Sequence, residues 1–267
     1  MRVPPMAIGE GYVIPLRIIN FNHMKYELKN ALILLSLLVV LILGSCDEKT
    51  NNTITPNQFR KGSDSDRIEA AIEAAVKAGI NSIEIPRFDE LNKKSIWLID
   101  RAILLPSDFT LILKDCLIRL SPGTHDNIIT NSGARTEPLS ENRNIRILGI
   151  GNAVLSGGLE AHFDPPGDKG GYRTVGILLY NTKYFTIERL KMEETQAWAI
   201  SVENGCAYGR IANIDINNTA KYPNQDGVDV RKGCHDIIIE NITGTSGDDL
   251  IALTAYRTDE DWRTEEK

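Results

Sequence analysis

Four short apolar triplets recur in the second half of this chain: Ile177-Leu178-Leu179, Ile200-Ser201-Val202, Val228-Asp229-Val230 and Ile251-Ala252-Leu253. The first and last steps between them are equal, and the middle step is slightly longer. A recurrence in the range of roughly 20–50 residues marks a chain that stacks on itself. Each unit is a short β run closed by Gly and Asn turns, with no helix between units. The expected fold is therefore all-β, a right-handed parallel β-helix in which each repeat is one coil. Parallel strands pair about 4.8 Å apart. A side chain one repeat further on then lies directly over its counterpart. Asp249 falls over Asp226, and Trp198 holds the same place one coil earlier.

Earlier runs fit the same plan. Ser82–Ile85, Phe109–Leu113, Cys116–Leu120, Asn144–Gly149 and Ala153–Gly158 read as strands and turns of the opening coils. One helix precedes them. Ser63 caps it with Asp66 three residues on. Ile68, Ala71, Ile72, Ala75 and Val76 share one helical face, and Gly79 ends it. That face suits a lid over the first coil, where an open strand edge would otherwise pair with other chains. A Pro- and Gly-rich loop separates Gly157 from Val175. The extra residues of the long step fall around Thr219–Pro223, just before Asp226.

Residues 1–46 read as targeting sequence. Met24 with Lys25 and Lys29 opens a basic segment, and Ala31–Leu43 is uncharged and too short to span a bilayer. Leu43-Gly44-Ser45-Cys46 resembles a lipobox, so cleavage before Cys46 would expose a thiol for lipidation. Asp47 and Glu48 resemble the surface-export signal of some Gram-negative lipoproteins. The expected location is the cell envelope, at the outer membrane or surface, held by a lipid anchor. Residues 47–62 are expected to be a polar tether, and 63–267 the β-helix domain. The chain has 267 residues and a net charge of −6, enough for one core and with no electrostatic reason to seek nucleic acid. It is expected to act as a monomer.

Stacking brings Asp226, Asp248 and Asp249 into one patch. Clustered carboxylates repel, so at least one should keep its proton near neutrality. An acid beside a base is what glycoside cleavage needs. Each of the three could instead serve a turn, since Asp favours turns. Asp229, between Val228 and Val230, alternates outward and either lines the same groove or is simply solvated. Arg231, Lys232, Lys221 and Arg257 are local cations that could meet an anionic ligand or merely face water. Trp198 could stack on a sugar or fill a corner. His23, His125, His162 and His235 show no motif of their own, and no spacing suits zinc. Cys206 and Cys234 hold equivalent places in neighbouring coils, either as stacked thiols or as a disulfide.

Asn224-Gln225-Asp226-Gly227-Val228-Asp229 followed by Ser246-Gly247-Asp248-Asp249-Leu250 resembles the signature of glycoside hydrolase family 28, the polygalacturonases and their relatives. Gln225 stands where that family usually has Thr, and Leu250 where Cys is common. The resemblance implies hydrolysis of an acidic, plant-type pectic polysaccharide with inversion and without a cofactor or metal. Asp248 would donate a proton to the leaving oxygen, and Asp226 and Asp249 would activate water. Asn224, Asp229, Arg231 and Lys232 would bind substrate. The family's Gly-His-Gly and Arg-x-Lys motifs would lie beyond Lys267. The domain is accordingly expected to be incomplete at its C-terminus and, alone, weakly active or inactive. Two other readings share the fold. A polysaccharide lyase would use clustered aspartates to hold Ca²⁺ and give an unsaturated product. A non-catalytic carbohydrate-binding lipoprotein would turn nothing over.

Overall fold

A computed structural model describes residues 53–158, 174–219 and 224–255. Cys46 and the whole leader, Lys221, Arg257 and the last residues of the expected cleft insertion lie outside the described residues. Described strands run in order as β1 (Ser82–Ile85), β2 (Ile96–Ile99), β3 (Ile103–Leu105), β4 (Phe109–Lys114), β5 (Leu117–Leu120), β6 (Ile129–Asn131), β7 (Asn142–Ile150) and β8 (Val154–Ser156). They continue as β9 (Ile177–Tyr180), β10 (Thr182–Glu193), β11 (Ile200–Glu203), β12 (Ala207–Asn217), β13 (Val228–Arg231), β14 (His235–Thr245) and β15 (Ile251–Thr254). All pairings between these strands are parallel, and each strand pairs with one from the next coil, never with its neighbour in sequence. The chain is an all-β solenoid, a parallel β-helix.

The expected triplets form one wall. Its order is β3-β6-β9-β11-β13-β15. Ile177 lies beside Ile200, Ile200 beside Val228, and Val228 beside Ile251. The first and third residues of each triplet point inward: Ile177, Leu179, Ile200, Val202 and Val228 are fully buried. Other walls come from β1-β4-β7 and β2-β5-β8, which merge where β10 bends across both. The bend places Arg189 in the left-handed region, and Asn213 and Asn241 repeat it in the next two coils. Asn241 Nδ2 donates to Asn213 Oδ1 at 3.1 Å, so the corner is a ladder of amides. Asn suits this conformation because its short polar side chain lowers the left-handed cost.

Helix α1 (Asp64–Lys77) closes the first coil. Ser63 and Asp66 cap it reciprocally, and Gly79 follows with φ +69°. Ile68, Ala71, Ile72 and Ala75 join the solenoid core, and the helix packs on β1, β2 and β3. Val76, placed on that face by period alone, is half exposed. The expected tether is shorter than residues 47–62. Pro56–Gln58 forms a 3₁₀ turn, Glu84 N donates to the Ile54 carbonyl at 3.0 Å, and Ile54 and Phe59 pack on the core. Two apolar side chains repay ordering that stretch, which polarity alone did not suggest.

Beneath the helix, charge is buried. The Arg67 guanidinium, fully enclosed, donates to Asp89 at 2.8 and 2.6 Å and to Asp64 at 2.7 Å. Lys94 Nζ reaches Asp64 at 2.6 Å, and Arg67 lies 5.0 Å from the Trp97 ring centre. At the other end of the described coils, Ile251 and Leu253 occupy inward register positions yet remain exposed, Leu253 at 77%.

Candidate active site

The wall of triplets sets the site. Asp229 sits in β13 beside Ser201 and Ala252. Two residues before β13, the Asp226 carbonyl accepts from Ala199 N at 2.9 Å, while Gly227 N donates to the Asp249 carbonyl at 2.8 Å. Asp226 therefore lies between Trp198 and Asp249 in one vertical column, as the period required. Gly227 makes this approach possible. A Cβ there would collide with the Leu250 carbonyl oxygen and with Ile216 Cδ1. Gln225, which replaces the Thr usual in the resembling family, is fully buried. Its Nε2 donates to the Thr195 carbonyl at 2.7 Å, and its carbonyl accepts from Gly247 N at 2.8 Å. This one residue ties the coil below to the Ser246-Gly247 turn above, which presents Asp248 and Asp249.

The four aspartates differ in surroundings. Asp248 and Asp249 are exposed, whereas Asp226 is 8% and Asp229 2% exposed. Burial raises the Asp226 carboxyl above its ordinary range, and the charges of Asp248 and Asp249 push it further. Hydrogen bonds from the Asp249 backbone and the Trp198 indole partly offset this. Asp229 is pushed up to about 8, chiefly by burial and then by Asp226, against the opposing pull of Arg231. Asp226 is the neighbouring acid that acts most strongly on Asp229. Each also leaves one oxygen buried without a donor, Asp226 Oδ1 and Asp229 Oδ2.

Asp229 corrects the sequence reading. Alternation does turn it away from the solenoid core, but that side of the wall is covered. Trp198, Glu203 and Arg231 lie there, all buried. The Arg231 guanidinium stacks 4.2 Å from the Trp198 ring centre and lies 3.7 Å from Glu203 Oε1. Lys232 Nζ is 3.3 Å from Glu203 Oε2, and Ser201 Oγ donates to Glu203 Oε1 at 2.8 Å. Both cations expected to meet a sugar carboxylate are thus directed at Glu203. Trp198 fills a corner under Arg231. Asn224 stands on an exposed turn with φ 58° at the edge of the patch. Glu203 escaped the sequence reading. Extending each triplet by one residue finds it, since Glu203 then falls beneath Arg231.

Cys206 and Cys234 are both free thiols stacked in neighbouring coils, donating to the Leu179 and Val202 carbonyls at 3.3 Å. Burial pushes the Cys206 thiol up. His235 is exposed with Nδ1 2.7 Å from Asp236 Oδ2, away from the carboxylates.

A family model described as glycosyl hydrolases family 28 matches residues 136–260, a span that holds every residue of the site. Residues 136–260 are thus similar to that family. Three solved structures are similar to this chain in fold. A candidate glycosyl hydrolase from Parabacteroides merdae is 14% identical over 75% of this chain and 95% of that one, with a TM-score of 0.53. PfbA, a surface adhesin of Streptococcus pneumoniae, is 12% identical over 78% of this chain and 68% of that one, at 0.44. A tailspike protein of E. coli bacteriophage HK620, solved with a hexasaccharide, is 12% identical over 78% of this chain and 48% of that one, at 0.47. At so low an identity the likeness to the Parabacteroides protein speaks for the fold alone. The match over residues 136–260 supports glycoside hydrolase activity in general terms.

Proposed function

We propose that this protein hydrolyses acidic, polygalacturonate-like chains with inversion at the anomeric carbon. The observation that carries this reading is the convergence of Asp226, Asp248 and Asp249 across two stacked coils, a full repeat apart in sequence but adjacent in register. Asp248 is the donor to the leaving glycosidic oxygen. Asp226 and Asp249 hold and deprotonate the attacking water on the opposite face of the sugar. The exposed pair can reach a bound chain, while the enclosed Asp226 works from beneath it. Surface anchoring through a lipidated Cys46, in the envelope of a Gram-negative cell, would put this chemistry where polysaccharide is met. Replacing Cys46 with Ser should move the protein from the membrane to the soluble fraction.

The test of the chemistry is the first product released from polygalacturonate. Hydrolysis gives new reducing ends, and proton NMR of the first product should show the anomer opposite to the one cleaved. A retained configuration would overturn the mechanism. An unsaturated product absorbing in the ultraviolet and lost in chelator would replace it with a calcium-dependent lyase.

A further inference from the structure

Proton placement in the site poses a problem that the three expected aspartates do not solve. Asp226 is assigned to accept a proton from water, yet it is enclosed and faces two other carboxylates. Such a group tends to fill itself with a proton and to stop being a base. The structure supplies a further carboxyl to take that proton. Asp229 is the more deeply buried of the two, lies three residues on in the same turn-and-strand segment, and like Asp226 leaves one buried oxygen without a donor. Two ionised carboxylates there would leave like charges together, with Asp226 Oδ1 and Asp229 Oδ2 both lacking donors. The local cations do not cover the deficit. Arg231 and Lys232 face three buried acids, Glu203, Asp226 and Asp229, and both lie against Glu203.

We propose that Asp229 is a positioning residue: it stays protonated and donates a hydrogen bond to Asp226, keeping Asp226 ionised and aimed as the base. This rests on the hydrolase reading for its purpose, but not for its proton. The groups that face Asp229 are Asp226 from the turn before β13, Arg231 on β13 and Glu203 on β11. Asp248 and Asp249 lie beyond Asp226. Lys232 Nζ lies 3.3 Å from Glu203 Oε2. Ser201 and Ala252 flank it in the wall and do not titrate in this range.

The experiment compares the full chain with Asp229→Asn and Asp229→Ala. Asn keeps a donor toward Asp226 at every pH, and Ala removes it. The first readout is melting temperature against pH, which needs no activity. An acid whose folded pKa is raised holds a proton that the unfolded chain has lost. Stability therefore falls as pH rises from about 4 to about 8. The wild type should show that decline, and D229N should lack it, gaining at least about 3 °C on the wild type between pH 5 and 8. Parallel melting curves for the two proteins would overturn the proposal. Should D229N fail to fold, carboxyl ¹³C NMR of the wild type replaces it. One Asp resonance titrating near pH 8 is expected, and midpoints all below pH 5 would refute the proton placement. The second readout is hydrolysis. D229N should stay within about threefold of wild type, and D229A should lose about 10–100-fold, in kcat rather than KM. Equal rates in all three would remove the positioning role. A melting difference with no hydrolysis by any form upholds the proton placement and sinks only the hydrolase reading.

Discussion

Two groups of buried charge in this molecule behave in opposite ways. Beneath the capping helix, two cations, Arg67 and Lys94, meet two carboxylates, Asp64 and Asp89. Burial would push Asp89 up, but hydrogen bonds from Arg67 and Asn92 more than offset it and hold the carboxyl at about 2. On the wall of triplets, two cations meet three buried acids, with Asp248 and Asp249 close by. There Asp229 is driven up to about 8. Both groups are enclosed, so enclosure alone does not set the direction. The number of donors and opposite charges does. A balanced group fixes the first coil in place. An unbalanced one has to take up a proton, which is what lets it pass a proton on.

The contrast can be broken at either side. The largest effect should come from Asp226→Asn. Hydrolysis of polygalacturonate should fall about 10³-fold, while the melting temperature holds or rises, because an amide relieves a buried like charge. A melting loss matching the activity loss would make Asp226 a scaffold residue. Next is Arg67→Met, which leaves Asp64 and Asp89 short of a cation. Urea unfolding should show a loss of about 3–5 kcal/mol, with the rate per folded molecule unchanged. Third is acid. Asp89 is lowered in the folded chain, so its contribution is present above about pH 4 and disappears as pH falls through about 2. That loss is on the order of 2 kcal/mol, and an Asp89→Asn variant should show no such step in urea titrations at pH 4, 3 and 2. Smallest is Trp198→Phe, which removes the indole donor to Asp226 while keeping a ring under Arg231. A drop of about tenfold in kcat is expected, with the acid limb of the pH profile moved upward, because Asp226 is the base and loses a donor that holds its pKa down.

Much of this was readable in advance, for a physical reason. Triplets at Ile177, Ile200, Val228 and Ile251 repeat because their inward side chains share one core, so their spacing encodes the pairing. The helix was equally plain, since Ser63 and Asp66 form a local cap. The two earlier coils of the same wall were not read. Ile103 pairs with Ile129 at an ordinary coil length, but far more chain separates Ile129 from its partner Ile177, and the Pro- and Gly-rich loop breaks the period. The enclosure of Asp229 was not legible, because alternation reports which side of a strand a residue leaves from, and not what waits there. The cover is Arg231 laid on Trp198, a contact between successive coils and not between sequence neighbours. Left-handed Tyr184 and Tyr208 were also invisible. They stack 5.1 Å apart in a corner column that elsewhere carries Asp108, Asn144 and Asp236.

One property of the wall bears on how such a molecule can change. The turn of chain between Ile200 and Val228 is longer than those on either side, yet the pairing across it is unshifted. Length added between strands leaves the hydrogen-bonded frame untouched. A lineage built on this plan can lengthen or shorten the rim above its aspartates freely, and so remodel what it grips while the reacting groups keep their spacing.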